Sequence, residues 1–361
     1  MRVAIDMSVV RQAPYAGTAR YAREVLAAMT AAPPPGAQLI PVSGWPRWRA
    51  TARLRPLQRV ANLAIDASWL AGGAMAAAAR SHADAWFGPA NVVPPALPRP
   101  MLVTIHDLNF LTLPGSYDRG YARYAARVFR LSARRATRVV TGSNASRDEV
   151  VARLDVDPRR VTVVYPGADH LAAVEPSQDD LGLPKRYALF VGQTEPHKNV
   201  GLLLDAWRAG VPDDLHLVIC GPAGRDDARL RALAASADLR DRVHFTGRLD
   251  EASLARAYQD ARLFLCPSMG EGFGFPPLEA MARGIPTAVS TAGALPEATA
   301  GGARVFDPHD PDALAALVTQ LASDTALRAR LRSRGRAVAA RYTWAATAAA
   351  LWEEVSHAVN D

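Results

Sequence analysis

The sequence predicts an α/β chain built from two doubly wound domains, each a parallel sheet covered by helices on both faces. Three observations lead there. The 361 residues exceed one ordinary domain and suit two of roughly 150 to 200 residues. Short apolar runs alternate with longer stretches of helical periodicity along the chain. The polar segment Glu175-Pro176-Ser177-Gln178-Asp179-Asp180 ends one such series, and the apolar run Tyr187-Ala188-Leu189-Phe190-Val191 begins the next.

Taken in order, strands are expected at 2–5, 101–105, 137–141, 161–164, 187–191, 215–220, 243–245, 262–266, 286–289 and 303–306. Most are continuous apolar runs, the pattern of strands buried on both faces of a parallel sheet. Helices are expected at 19–30, 119–135, 145–154, 199–208, 226–237, 251–260, 276–283, 311–322 and 325–341. Segment 60–79 holds Asn62, Asp66, two glycines and many alanines. It reads as a helix of a globular domain, not a membrane span. Pro33-Pro34-Pro35-Gly36 is a loop. Asp155-Val156-Asp157 superficially resembles a metal-binding Asp-X-Asp pair, but Pro158 and two arginines follow it, and a helix-end turn is expected.

Composition narrows the class. Hydrophobic residues make up 49% of the chain and charged ones 21%, enough for two cores and too apolar for wholesale disorder. Two cysteines, Cys220 and Cys266, end apolar runs and form no disulfide or zinc spacing, as suits a reducing cytosol. A strand at 3–5 leaves no room for a signal peptide, and a cytoplasmic protein is expected, with the inner face of the cytoplasmic membrane as a further location.

The net charge of +7 is uneven. Residues 1–170 hold 22 arginines against 11 acids, a net of +11, and the remainder carries −4. Arg119, Arg123, Arg127, Arg130, Arg134, Arg135 and Arg138 lie in a stretch without an acid, and spacings of three and four place several on one helix face. Tyr117, Tyr121, Tyr124 and Phe129 interleave with them. Trp45-Pro46-Arg47-Trp48-Arg49, with Arg53, Arg55 and Arg59, adds to the basic character. Two readings stand: a solvated helix face, and a surface for an anionic membrane. No nucleic-acid partner is expected.

The densest chemistry lies in Pro267-Ser268-Met269-Gly270-Glu271-Gly272-Phe273-Gly274-Phe275-Pro276-Pro277-Leu278-Glu279-Ala280-Met281-Ala282-Arg283-Gly284. An apolar strand leads into a glycine loop, and a double proline opens a helix. Glycines let a ligand approach the backbone, and a helix N-terminus offers free N–H groups to oxygen atoms. Glu271 in the loop and Glu279 in the helix are acceptors suited to sugar and ribose hydroxyls.

This stretch resembles the family 4 retaining glycosyltransferases, whose signature is two glutamates separated by seven residues, as here. Ser268 and the Glu-Gly-Phe-Gly and Pro-Leu-Glu-Ala-Met-Ala-Arg-Gly runs match, as do Pro286, Ser290, Leu295-Pro296-Glu297 and Asp307-Pro308. Further matches are Gly192-Gln193-Thr194-Glu195-Pro196-His197-Lys198-Asn199, Thr104-Ile105-His106-Asp107-Leu108, and Asp6 with Gly17-Thr18-Ala19-Arg20-Tyr21. Ser143-Asn144-Ala145-Ser146-Arg147-Asp148-Glu149 is also typical and carries a capping pattern.

The resemblance implies two Rossmann-like domains facing a cleft, the GT-B architecture. It implies an acceptor-side domain over 1–175, a donor domain over 176–341, and a terminal helix within 342–361 that crosses back to the first domain. The donor would be a nucleotide sugar, with GDP-mannose the first expectation and a UDP-hexose the second. The acceptor would be a hydroxyl on a glycan, a lipid-linked intermediate or a small molecule. No metal and no cofactor are implied.

Residue by residue, Lys198 would meet the pyrophosphate with Gln193, which stands where many members carry a cation. Gly17 would let the phosphates approach, although Ala19 stands where a second glycine is common. Glu271, Gly272, Phe273 and Gly274 would hold the sugar, Glu279 the ribose, and His106 the donor sugar and acceptor. Thr246, Arg248, Leu249 and Leu254 would lie at the base. Retention without an evident nucleophile implies front-face attack, in which the leaving phosphate takes the acceptor's proton.

Rival readings are a nucleotide-sugar epimerase or hydrolase on the same architecture and a non-catalytic nucleotide-sugar or polysaccharide-binding protein. A dinucleotide-dependent dehydrogenase is disfavoured, because no Gly-X-Gly-X-X-Gly turn follows strand 2–5.

Overall fold

The computed structural model describes residues 1–44 and 55–361. The segment Trp45 to Arg49 and Arg53 lie outside the described residues. The chain forms two compact units: Met1–Leu108, Arg119–Gly167 and Trp344–Asp361 make the first, and Asn109–Asp118 with Ala168–Thr343 the second.

The first unit holds a six-stranded sheet of β1 (Arg2–Asp6), β2 (Gln38–Val42), β3 (Ala85–Gly88), β4 (Met101–Ile105), β5 (Arg138–Thr141) and β6 (Val161–Val163). The order is β2-β1-β3-β4-β5-β6, and every pairing is parallel. Its helices are α1 (Ser8–Gln12), α2 (Gly17–Ala31), α3 (Arg55–Ser68) and α4 (Ala74–Arg80), then, beyond α5 (Asn109–Thr112) of the second unit, α6 (Arg119–Arg135) and α7 (Asn144–Leu154). β3 and β4 are wholly buried, as is the middle of β1 at Val3, Ala4 and Ile5, the pattern of strands with helices on both faces.

Two strands here escape the sequence pattern. β2 contains Pro41 and pairs only with β1 at the sheet edge, where a proline is tolerated. β3 has four residues, too few to show a period. The helix expected at 60–79 is instead α3, one π-helical turn at Trp69–Gly73, and α4. Ser143 caps α7 by accepting from the Ser146 amide at 3.1 Å. Asp155 closes that helix at φ 58°, and Asp157 caps the following turn.

The last helix completes this unit. α15 (Trp344–Asn360) buries Leu351, Trp352 and Val355. Trp352 Nε1 donates to the Met29 carbonyl at 3.2 Å, and Thr347 Oγ1 to the Tyr165 carbonyl at 2.8 Å. Arg138 Nε meets the buried Glu354 at 3.0 Å, which answers a charge that burial alone would penalise.

The second unit holds β7 (Tyr187–Val191), β8 (His216–Cys220), β9 (Val243–Gly247), β10 (Leu263–Cys266), β11 (Thr287–Ser290) and β12 (Arg304–Phe306). The order is β12-β11-β10-β7-β8-β9, again all parallel. Its remaining helices are α8 (Val200–Gly210), α9 (Asp227–Ala234), α10 (Glu251–Asp260), α11 (Phe275–Ala282), α12 (Leu295–Thr299), α13 (Pro311–Ser323) and α14 (Thr325–Ala339). The chain runs from β7 outward to β9, then returns to place β10 on the other side of β7. That reversal is the topological switch point, and the loops after β7 and β10 diverge there to leave a crevice. Both cysteines are buried strand-end residues with free thiols.

Candidate functional site

The two loops at the switch point of the second unit carry Lys198 and Glu271. After β7 the chain makes a short turn at Pro196–Lys198, and Asn199 at φ 53° starts α8. After β10 it runs through Ser268 to Gly274, whose φ of 99° opens α11. The loops are pinned to each other, since the Met269 amide donates to the His197 carbonyl at 2.7 Å.

Lys198 Nζ donates to Glu271 Oε1 at 2.6 Å, and Ser268 Oγ donates to the same oxygen at 2.7 Å. Burial works against the Glu271 charge, but Lys198, Ser268 and the neighbouring His197 outweigh it and hold its pKa below the ordinary carboxylate value. Burial, reinforced by Lys198, pushes the His197 imidazole down to about 4. His197 is therefore neutral near pH 7, and the positive charge in this turn is that of Lys198. Lys198 is one of two lysines among 42 basic residues.

The Glu271 loop is braced from behind. Ser290 Oγ donates to the Ser268 carbonyl at 2.5 Å, and the Ala294 amide to the Glu271 carbonyl at 3.0 Å. Gly293, at φ 57°, leaves no room for a side chain: a Cβ there would lie 2.7 Å from the Glu271 carbonyl oxygen. Sequence reasoning passed over Gly293, and its place between Ser290 and Leu295-Pro296-Glu297 was the available signal.

Glu279 lies on α11 and is almost fully buried. His170 Nε2 and Glu279 Oε1 are 2.9 Å apart, and Tyr258 donates to Oε2 at 2.8 Å. Tyr258 stands one turn beyond Leu254 on α10. The Cys220 thiol is raised mainly by burial, against which hydrogen bonds with Thr246 and the Leu249 backbone work. Leu254 lies in the same buried cluster as Cys220, and Leu249 packs against that cluster.

The other expected residues of this unit differ in exposure. Gln193 is exposed, and its side-chain amide donates to the Ala223 carbonyl at 3.3 Å. Arg248 is exposed. Phe273 is buried between Phe275 and Tyr342, at ring distances of 5.8 and 5.3 Å. Its side chain anchors the loop in the core, so only its backbone is available to a ligand. Gly272 precedes it in the same loop.

In the first unit, Gly17 is the first residue of α2, at an N-terminus that presents main-chain N–H groups. Asp6 at the end of β1 accepts from Ser8 Oγ and from Trp69 Nε1 at 2.9 Å, while burial raises its pKa. His106 follows β4. Its Nε2 must donate to the Pro89 carbonyl at 2.8 Å, because a carbonyl only accepts, which leaves Nδ1 as an acceptor in the neutral ring. Tyr21 packs edge-on against the imidazole at 4.8 Å. Burial lowers the His106 pKa to about 4, so the ring is a weak base.

On α6, Arg123, Arg127 and Arg130 are exposed together with Tyr121, Tyr124 and Leu131. Arg138 leaves this basic face to pair with Glu354, and Arg134 pairs with Asp155. Among the described residues, no helix is long and apolar enough to cross a membrane, and no cluster of three or more metal-ligating side chains occurs.

Comparison with known proteins agrees with this architecture. Residues 175–338 match the family model "Glycosyl transferases group 1", and residues 5–170 match "Glycosyltransferase Family 4". The O-antigen chain mannosyltransferase B of Escherichia coli is 30% identical over 270 residues, 72% of this chain and 70% of that one. A D-inositol 3-phosphate glycosyltransferase of Salinispora arenicola is 34% identical over 249 residues, 62% of this chain but only 55% of its own length. Among solved structures, sucrose-phosphate synthase from Thermosynechococcus elongatus superposes with a TM-score of 0.78 at 19% identity, covering 98% of both chains. Anabaena HepE in complex with UDP and glucose gives 0.76 at 18% identity, covering 99% of this chain and 100% of that one. Those two likenesses concern the fold, two parallel-sheet Rossmann-like units of the GT-B class. With both halves matched in order and this relative covered at 30% identity, the chain belongs to the family 4 glycosyltransferases and is a glycosyltransferase.

Proposed function

We propose that the enzyme takes a hexose from a nucleotide sugar and passes it, with retention and without a metal ion, to an acceptor hydroxyl. The observation that carries this reading is the Lys198–Glu271 pair at the switch point. A diphosphate needs a cation and helix N–H groups, and Lys198 precedes the N-terminus of α8. A sugar needs acceptors for its hydroxyls, and Glu271 is a charged one held by Ser268. Lys198 with the α8 amides neutralises the leaving diphosphate, the role a metal ion fills elsewhere.

Glu279 anchors the ribose in this reading, and Leu249 and Leu254 flank the base. His106, neutral and weakly basic, accepts a hydroxyl hydrogen bond at Nδ1 and does not act as general base. The acceptor proton then goes to the departing phosphate oxygen, as front-face displacement requires. Gln193, bonded to Ala223, would have to leave that partner to serve the phosphates, and a phosphate role for the Gly17 amide is part of the same proposal.

GDP-mannose is the first donor to try, since the relatives include O-antigen mannosyltransferases. UDP-glucose is the second, since a protein of this fold was solved with it. A glycan or lipid-linked acceptor, at the inner face of the cytoplasmic membrane, fits the exposed arginines and tyrosines of α6. The test is transfer from GDP-mannose or UDP-glucose to candidate acceptors in EDTA, with the product anomer read by NMR. Retained configuration in EDTA is expected. An inverted product, or release of free sugar alone, contradicts the reading.

A further inference from the structure

Residues 109–118 sit in the chain between β4 and α6 of the first unit, yet they belong to the second. They are bound to the two loops that carry Lys198 and Glu271. Asn109 Nδ2 donates to the Gly270 carbonyl at 3.2 Å, directly beside Glu271. Gly270 is shaped for that contact: a Cβ there would fall 2.5 Å from Asn109 Oδ1. At the other end of the segment, the Tyr117 ring stacks on His197 at 5.6 Å with 17° between planes. The Arg225 guanidinium lies 5.6 Å from the Tyr117 ring centre, donates to the Ser116 carbonyl and pairs with Glu195 at 2.7 Å.

His197 makes this stack informative. Its Nδ1 is buried and has no hydrogen-bond partner among the described residues. A buried polar nitrogen left unpaired is costly, and a ring without that bond is free to reorient unless packing holds it. Tyr117 supplies the packing, and the His197 carbonyl in turn receives the Met269 amide. The turn bearing Lys198 is thus clamped by Tyr117, and the loop bearing Glu271 by Asn109.

We propose that Asn109 and Tyr117 are positioning residues for sugar transfer: the 109–118 segment is a strap that sets the Lys198 and Glu271 loops for the donor. This rests on the donor reading given above. Neither residue touches the donor in this account. Their effect passes through His197 and Gly270, so it appears in donor affinity and orientation, where a misplacement near 1 Å is felt strongly. The contact through which Tyr117 acts here is the stacking of its ring on His197, which phenylalanine keeps and alanine does not.

The test uses the full chain and two probes, UDP and GDP, titrated by calorimetry, with donor KM and kcat measured alongside the melting temperature. Tyr117→Ala is expected to weaken binding of the preferred nucleotide and raise donor KM by roughly three- to tenfold, the size of a lost aromatic contact. Tyr117→Phe is expected to stay within about twofold of wild type. Asn109→Ala provides the second arm, with a comparable rise in donor KM and a fall in kcat, and it keeps the test open should Tyr117→Ala not fold. Folded Tyr117→Ala and Asn109→Ala proteins with wild-type affinity and KM overturn the strap while leaving the donor reading intact. A wild type that binds neither UDP nor GDP overturns both.

Discussion

Lys198 and Glu271 stand 73 residues apart in the chain, yet an ammonium nitrogen and a carboxylate oxygen meet at 2.6 Å. The switch point makes this possible, because β7 and β10 are adjacent parallel strands and the two loops that leave their ends are joined by the Met269–His197 hydrogen bond. The Lys198–Glu271 contact leaves the site charged but balanced. In the proposed reading each side chain serves a different part of the donor, so a bound donor would divide these partners.

The first prediction concerns that pair. Lys198→Met leaves a largely buried carboxylate without its cation and is expected to cost about 3 kcal/mol at neutral pH. The Glu271 pKa is lowered in the fold, so its contribution is whole above the ordinary carboxylate value and is lost as pH falls through the lowered one. Urea unfolding across pH should show the wild-type advantage widest near neutrality and closing below about pH 4. An advantage that persists unchanged at pH 3 contradicts this.

His106 gives a second prediction, in both rate and stability. Its pKa near 4 means the folded ring is neutral where the unfolded one, near 6.5, begins to protonate. That stability is fully present above pH 6.5 and drains away as pH falls towards 4. His106→Gln is expected to flatten this part of the stability profile and to lower kcat about tenfold or more, through a lost hydrogen bond. The wild-type kcat profile should show no His106 inflection near pH 6.5.

For Glu279 the expectation is read in nucleotide binding. Removing a charged hydrogen-bond acceptor for ribose in Glu279→Ala should weaken UDP or GDP binding by about ten- to a hundredfold. Tyr258→Phe removes one of the bonds that aim the carboxylate and should cost about fivefold. Equal losses for the nucleotide and its 2′,3′-dideoxy analogue on Glu279→Ala are the outcome to expect if the contact is not to the ribose.

Gly293→Ala tests the brace behind Glu271. The new Cβ meets the Glu271 backbone, and the φ of 57° strains any side chain. A loss of about 1–3 kcal/mol in unfolding free energy is expected, together with a raised donor KM. A neutral outcome in both measurements shows that the loop tolerates movement there.

Much of this was readable from residues alone, and the gaps have physical causes. Glu271 and Glu279 were legible because loop, double proline and helix follow in one continuous stretch. The central strands of the second unit, β7, β8 and β10, were legible because both faces are buried, so each reads as an almost unbroken apolar run. β2 and β3 were not, one holding Pro41 at a sheet edge and the other only four residues long. The His170 and Tyr258 partners of Glu279, like Asn109 beside Gly270, are 21 to 161 residues away in the chain. No local pattern records such contacts. Arg138 shows the converse error, since a face drawn by spacing counted it with the exposed arginines while the fold turns it to Glu354.

The arginine face of α6 yields a fifth prediction. Each exposed arginine near an anionic surface is worth about 1 kcal/mol. Flotation with anionic vesicles is expected to carry the protein at low salt, and Arg123→Glu with Arg127→Glu to release it. Equal recovery on neutral vesicles, or none on anionic ones, ends the idea.

The central claim, a nucleotide-sugar site built on Lys198 and Glu271, is tested most directly by calorimetric titration of GDP-mannose and UDP-glucose into wild type, Lys198→Ala and Glu271→Ala. The account predicts that one nucleotide sugar binds the wild type. It predicts that Lys198→Ala weakens the sugar donor and its parent nucleotide diphosphate alike. It predicts that Glu271→Ala weakens the sugar donor far more than the nucleotide diphosphate. Binding by folded variants at wild-type strength contradicts it.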